Sequence, residues 1–226
     1  MTNQFHDPRW YYYLMQSKHQ FYPFWKELLS RDKCDVLFVL GHGFDPRMCD
    51  AISIIFNIEG NGLKYDEEDS YLSKECKSLI KDNWNELKNL TGKNSRGQLT
   101  VKNVLMWSED KRKIASISAS KIFNSINELS KYTDLVVDIS AMPRSIYFPL
   151  ICKLLQMIDQ AKKHNNGVPL PNLHVVVSEN PSLDNQIRDE GMEESASYLP
   201  GFGSSSINLE ATEGLPKIWI PVLGEG

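Results

Sequence analysis

The sequence predicts an α/β fold with a doubly wound, mostly parallel sheet of about six strands. Short apolar runs that end in polar residues alternate with helical patterns long enough to cross back over a sheet. The first such run, residues 36–40, stops at Gly41, and a helix starts soon afterwards at Asp45 and Pro46. This order of an apolar strand, a glycine turn and a helix start is typical of the opening unit of a Rossmann-like fold. The chain is long enough to bury a core of its own, so we expect a single domain over residues 1–226.

The composition is that of an ordinary globular protein. Hydrophobic residues make up 41% of the chain, charged residues 24%, and the formal net charge is −4. General nucleic-acid binding needs a basic surface, so this charge argues against it. The N-terminus lacks the pattern of a signal peptide, and no apolar run approaches the roughly 20 residues of a membrane span. We therefore expect a cytoplasmic protein without a membrane partner.

The cysteines predict neither a disulfide framework nor a metal site. Cys34, Cys49, Cys76 and Cys152 stand far apart, and none of them belongs to a C-x-x-C pair. No other metal-binding or cofactor-binding motif is present in the sequence. We expect reduced thiols, no metal and no cofactor.

The first 33 residues predict a helical N-terminal layer. Residues 5–29 contain nine aromatic residues, a helix start at Asp7 and Pro8, and Pro23 as the boundary to a second helix. We expect this layer to pack on the sheet. Alternatively, the aromatic residues form a homodimer contact, since aromatics concentrate at interfaces. A base-stacking surface is the third interpretation, and lysine and arginine are sparse here.

The other elements follow in chain order. The sequence predicts a helix at 47–58, a turn at 59–62, strands at 63–65 and 101–107, helices at 70–90 and from 108 to about 131, a strand at 135–139, a helix at 144–163 and strands at 173–177 and 218–223. Residues 181–214 are acidic at first and rich in glycine and serine later. A stretch of this length is either a functional lid or a surface excursion.

Two turns that end in Pro-Arg follow the first and fourth predicted strands, at residues 41–47 and 138–144. In a sheet of Rossmann order these strands are neighbours, and a crevice opens outside their carboxyl ends. Each turn brings a helix N-terminus, which favours an anion, and an arginine that can pair with phosphate. We therefore expect a phosphorylated ligand, with a nucleotide as the first choice. The predicted ligand-binding residues are Gly41, His42, Gly43, Asp45, Arg47, Asp138, Ser140, Arg144 and Ser178.

Capping alone is the alternative explanation of the first turn, because Asp45 is an ordinary N-cap and Pro46 an ordinary first-turn residue. The second turn has Met142, a poor cap, so its helix needs Ser140 or a ligand to accept from its backbone donors. The first turn also departs from the G-x-G-x-x-G fingerprint, since Pro46 occupies the sixth position. A standard NAD site is therefore not expected.

Catalysis is the second hypothesis. Asp138, Glu179 and His42 are the candidate groups for an enzyme that hydrolyses a nucleotide or its N-glycosidic bond in the same crevice. The sequence contains no G-x-S-x-G, P-loop or H-E-x-x-H motif, so binding without chemistry is preferred. The third hypothesis is a protein-interaction scaffold that uses the aromatic N-terminal layer.

Residues 138–140, Asp-Ile-Ser at a strand end, and the glycine-rich first turn resemble the Rossmann-like nucleotide sensors of prokaryotic immunity, the CARF and SAVED families. CARF proteins typically carry an Asp-x-Thr-Gly-Gly-Thr-Lys type of motif at this place. The chain matches its beginning, while residues 141–144, Ala-Met-Pro-Arg, replace the glycines and the lysine. The resemblance covers these two short segments and implies a sensor module that binds a nucleotide second messenger in prokaryotic defence.

Overall fold

The protein is a mixed α/β fold, and the computed structural model describes residues 14–31, 33–54, 58–66, 74–92, 99–164 and 169–184. The strands are β1 (Val36–His42), β2 (Ile58–Asp66), β3 (Leu99–Leu105), β4 (Asp134–Asp138) and β5 (Asn172–Val176). The α-helices are α1 (Phe21–Leu29), α2 (Asp50–Ile54), α3 (Lys74–Gly92), α4 (Ala115–Ser120), α5 (Arg144–His164) and α6 (Pro181–Asp184). Short 3-10 helices lie at Lys18–Gln20, Pro46–Cys49 and Ile126–Glu128.

The five described strands form one parallel sheet in the order β3-β2-β1-β4-β5. β1 and β4 are neighbours, with Val36 opposite Asp134 and Leu40 opposite Asp138. The prediction of a parallel sheet in which the first and fourth strands lie side by side is therefore confirmed. The sixth strand predicted at residues 218–223 lies outside the described residues.

The apolar residues of β1 divide between two hydrophobic clusters. Leu37 and Val39 belong to a cluster that includes α4 and α5. Phe38 and Leu40 belong to a second cluster with α1 and the 3-10 helix at Pro46–Cys49. Successive side chains of a strand point to opposite faces of its sheet, so a strand covered on both faces is apolar throughout. This double covering explains the uninterrupted apolar run from which β1 was predicted.

The turn predicted at residues 59–62 is wrong. Gly60 and Gly62 lie inside β2, where they pair with Phe38 and Leu40 of β1. Glycine favours turns locally, but strand pairing on both sides of β2 supplies partners for its backbone and overrides that preference. The strand is accordingly much longer than the prediction of 63–65.

The continuous helix predicted between the third and fourth strands is also wrong. α4 ends at Ser120, and a separate 3-10 helix follows at Ile126–Glu128. Ser125 and Glu128 form a capping box that starts this second helix. Similarly, the helix after β1 begins as the 3-10 helix Pro46–Cys49 before α2. In both segments a side-chain cap, from Ser125 or from Asp45, starts a 3-10 helix where the sequence predicts an α-helix.

Pro23 does not separate two helices. It lies in the first turn of α1, where its missing N–H has no intrahelical acceptor to lose. Trp25 and Leu28 of the same helix are buried in the cluster with β1. The helix predicted to start at Asp7 lies outside the described residues, and of the predicted lid the structure describes only residues 181–184. None of the described helices has both the length and the apolar character needed to cross a membrane.

Candidate functional site

The predicted ligand-binding residues lie at the carboxyl ends of β1, β4 and β5. They are Gly41 and His42 at the end of β1, Gly43, Asp45 and Arg47 in the segment after it, Asp138 at the end of β4, Ser140 and Arg144 in the next turn and helix, and Ser178 just beyond β5. A Cβ atom built on Gly43 would stand 3.7 Å from the carbonyl oxygen of Ala141. The turns after β1 and β4 are therefore in close contact.

Arg47 is paired with Asp45 of its own turn. The Arg47 backbone N–H donates to Asp45 Oδ1 at 2.9 Å, which caps the 3-10 helix. The Arg47 guanidinium donates through Nε to Oδ1 at 3.0 Å and through Nη2 to Oδ2 at 2.6 Å. Both residues are buried. Arg47 thus lies at the predicted end of the sheet, with its guanidinium held by a neighbouring carboxylate; whether it also contacts a ligand stays a prediction.

The N–H, carbonyl and hydroxyl groups of Ser178 each form a hydrogen bond, and together these bonds connect the segments that follow β1, β4 and β5. Its N–H donates to Ser140 Oγ at 2.8 Å, and its carbonyl oxygen accepts from Arg47 Nη1 at 3.3 Å. Its hydroxyl donates at 2.5 Å to Oδ2 of Asp50, which is the first residue of α2. The chain leaving β5 is therefore fixed both to the turn after β4 and to the segment after β1.

Asn83 of α3 supports the end of β1 and was not predicted as a site residue. Its buried side-chain amide donates to the carbonyl oxygens of Gly43 at 3.0 Å and Asp45 at 2.9 Å. The next residue, Trp84, places its ring 4.7 Å from the ring of His42. In the sequence, Asn83 is one polar residue among several on a mostly polar helix, so no local signal distinguishes it.

Asp138 is buried, with only 1% of its surface exposed. Its Oδ1 accepts from the backbone N–H of Ser140 at 2.9 Å and from the Ser140 hydroxyl at 2.5 Å. Its Oδ2 is also buried and has no hydrogen-bond partner among the described residues. Burial raises the pKa of Asp138 to about 6; the Ser140 hydrogen bonds lower it, and the charges of Asp50 and Asp45 raise it further.

The start of α5 presents hydrogen-bond donors that have no acceptor in the described part of the chain. The Pro143 carbonyl accepts from the N–H groups of Ile146 and Tyr147, whereas the N–H groups of Arg144 and Ser145 make no such backbone bond. The Ser145 hydroxyl is buried and likewise unpartnered there. The Arg144 side chain is exposed, and the first turn contains no acidic residue. Such a helix N-terminus favours an anion.

Two of the candidate catalytic groups, His42 and Asp138, lie on neighbouring strands. Asp138 pairs with Leu40 in the sheet register, and His42 lies two residues further along β1, so both lie on one face of the sheet. Glu179 is exposed and follows Ser178 beyond β5. Within the described ranges, no group of three or more histidine, cysteine or acidic side chains is arranged to hold a metal ion.

The four cysteines are free thiols. Cys49 is buried beside the site, and burial raises its pKa to about 12, with Glu86, Asp50 and Asp138 adding to the rise. Its thiol is therefore neutral at ordinary pH.

Comparison of the chain with protein-family models, with curated proteins and with solved structures found no match.

Proposed function

We propose that this chain binds a phosphorylated ligand of the nucleotide class at the carboxyl ends of β1 and β4, and that it serves as a sensor module. The single observation that carries the proposal is the donor set at the start of α5. Two backbone N–H groups and the buried Ser145 hydroxyl have no acceptor in the described chain, and the Arg144 guanidinium extends into solvent beside them. An oxyanion satisfies such donors together.

The sheet supports this location. We propose that the fold is doubly wound and Rossmann-like, because the strand order is β3-β2-β1-β4-β5 and the apolar clusters lie on both sides of β1. In such sheets the direction of winding changes between β1 and β4, and ligands bind outside the carboxyl ends of these strands. The close contact of Gly43 with Ala141 lies at that point.

The two arginines receive different roles. Arg144 is the proposed cation for the ligand phosphate, since its side chain is exposed at the first position of α5. Arg47 is a positioning residue, because its guanidinium is bound by Asp45 and by the Ser178 carbonyl. His42 and Trp84 form a half-buried ring pair at the end of β1, and Lys88 Nζ lies 5.3 Å from the centroid of the Trp84 ring, so a stacking base would have to displace this lysine.

Calorimetric titration tests the proposal with AMP, ATP, cyclic AMP, NAD, ribose 5-phosphate and inorganic phosphate. We expect a nucleotide to bind the wild-type protein and Arg144→Ala to weaken it by roughly ten- to a hundredfold, because a charged hydrogen bond contributes about 1.5–3 kcal/mol. Arg112→Ala is the matched control, since Arg112 is an exposed arginine in the loop after β3. The proposal fails if no compound binds, or if Arg144→Ala binds as tightly as the control.

Hydrolysis of a nucleotide or of its N-glycosidic bond is the second candidate function. Its candidate acid-base group is Asp138, whose pKa of about 6 lies close to neutral pH, but whose side chain is buried and would have to be uncovered to reach a substrate. Product formation from AMP, adenosine and NAD, followed by chromatography, tests it. Activity in the wild type that disappears in Asp138→Asn supports hydrolysis, and absence of product from all three compounds leaves binding alone.

A further inference from the structure

The proposed anion site contains an electrostatic conflict. Asp45, Asp50 and Asp138 lie in the turns and helix starts that surround it, and the charges of Asp45 and Asp50 already act on Asp138. Arg47 offsets Asp45, to which it is bound. Asp50 is exposed, whereas Asp138 is buried, so solvent and salt screen the repulsion between Asp138 and a phosphate arriving at the start of α5 less than that of Asp50. Loss of the Asp138 charge therefore favours the binding of an anion there.

Asp138 is the buried carboxyl group of this set that can lose its charge without breaking a hydrogen bond. A proton added to its partnerless Oδ2 leaves both Ser140 bonds on Oδ1 in place. Asp45, by contrast, accepts from Arg47 with both of its oxygens, and Asp50 is exposed to solvent, which stabilises its charge. Burying a charged carboxylate oxygen without a hydrogen-bond donor also costs free energy, and protonation of Asp138 reduces this cost.

We propose that Asp138 takes up a proton when an anionic ligand binds at the start of α5, so that the affinity for phosphate esters rises as the pH falls. The inference rests on the proposed function, which it deepens by naming how the site is regulated. In the sequence Asp138 lies six positions before Arg144, with Ser140 between them. The proton therefore enters the turn that leads directly into the anion-binding helix start.

The other groups on this side of the sheet do not replace Asp138 in that role. They include His42 of β1, Asp45, Arg47 and Cys49 of the following segment, Asp50 of α2, and the exposed Glu86 of α3 and Glu179 after β5. The guanidinium of Arg47 stays charged at all relevant pH values, and the Cys49 thiol stays neutral because burial raises its pKa to about 12. His42 is the remaining group that can titrate near neutral pH, so the test must separate its proton from that of Asp138.

The test is calorimetric titration of wild type, Asp138→Asn and Glu109→Gln with AMP, ATP, cyclic AMP and NAD between about pH 5 and pH 8, in two buffers of different ionisation enthalpy. Titration of the ligand and of His42 is common to the wild type and Asp138→Asn, so the difference between them reports Asp138. On binding the ligand, we expect the wild type to take up as much as about one proton more than Asp138→Asn. We also expect the affinity of the wild type to fall about tenfold as the pH rises from about 5 to 8. Glu109, an exposed carboxyl after β3, is the control, and its variant should behave as wild type.

A carbon-13 NMR titration of the Asp138 carboxyl in the wild-type protein needs no variant, and we expect its midpoint to rise on binding. Equal proton uptake by wild type and Asp138→Asn, or a midpoint that falls or stays fixed, overturns the inference and leaves the proposed function standing. Absence of binding by every compound overturns both. A ligand that binds with proton release at Asp138 also overturns the inference, because it indicates a hydrogen bond donated to the carboxylate.

Discussion

Asp134 and Asp138 begin and end the same strand, β4, and both are buried, yet their pKa values move in opposite directions. Burial alone raises the pKa of Asp134, but hydrogen bonds from His174, Thr133 and Asn172 outweigh it and hold the pKa below its usual value. Asp138 receives donors from Ser140 only, both on one oxygen, so burial dominates. The number and placement of donors decide the charge of a buried carboxyl group.

Asp138→Asn is expected to stabilise the protein above about pH 6. The folded-state pKa of about 6 exceeds the ordinary value of 3.8, so the folded protein binds more protons than the unfolded chain between these values. The stability associated with Asp138 is therefore present below about pH 3.8 and is lost as the pH rises through 6. Asparagine keeps an oxygen for Ser140 and carries no charge. We expect a gain on the order of 1–3 kcal/mol at neutral pH.

Urea unfolding of wild type and Asp138→Asn at about pH 5 and pH 7.5 measures this gain. The difference between the two proteins should be larger at the higher pH. A variant that is less stable than wild type at both pH values would contradict the assignment of a raised pKa to Asp138.

The elements that could be predicted from the sequence are those in which local preference and tertiary environment agree. The central residues of β1 (36–40) and β4 (135–137) are all apolar because both faces of these strands are covered, and α5 has a long apolar periodicity that begins close to Pro143. β2 was misplaced because its glycines locally favour a turn, while pairing with β1 and β3 keeps them extended. The role of Asn83 was missed because a contact between a helix and a distant turn leaves no local pattern.

Asn83→Ala tests whether α3 holds the turn after β1. The change leaves the buried carbonyl oxygens of Gly43 and Asp45 without this donor, so we expect the free energy of unfolding to fall by about 1–3 kcal/mol. Asn85→Ala, two residues along the same helix at an exposed position, is the matched control and should change stability by less than about 0.5 kcal/mol. Urea unfolding measures both variants, and equal effects would show that the Asn83 bonds contribute nothing specific.

The whole molecule brings the candidate site together through strand order. The prediction that the first and fourth strands are adjacent rested on the topology of parallel sheets, and the structure confirms that adjacency. The hydrogen-bond partners of the Arg47 guanidinium could not be predicted in the same way. Its partners are Asp45, two positions away, and the Ser178 carbonyl, 131 positions away. A side chain's choice between internal partners and a ligand depends on packing that a linear pattern does not contain.

A double-mutant cycle of Arg47→Met and Asp45→Asn shows whether this pair holds the turns after β1 and β5 in place. Arg47→Met removes the counter-ion of a buried carboxylate, which keeps the hydrogen bond from the backbone N–H of residue 47, and we expect it to cost about 3 kcal/mol of unfolding free energy. The double variant removes both charges and should cost less than the sum of the single variants by about 1–3 kcal/mol, measured by urea unfolding. Additive effects would mean that the guanidinium and the carboxylate are not coupled. Arg47 and Asp45 would then stabilise this segment independently, and the positioning role of Arg47 would not depend on their ion pair.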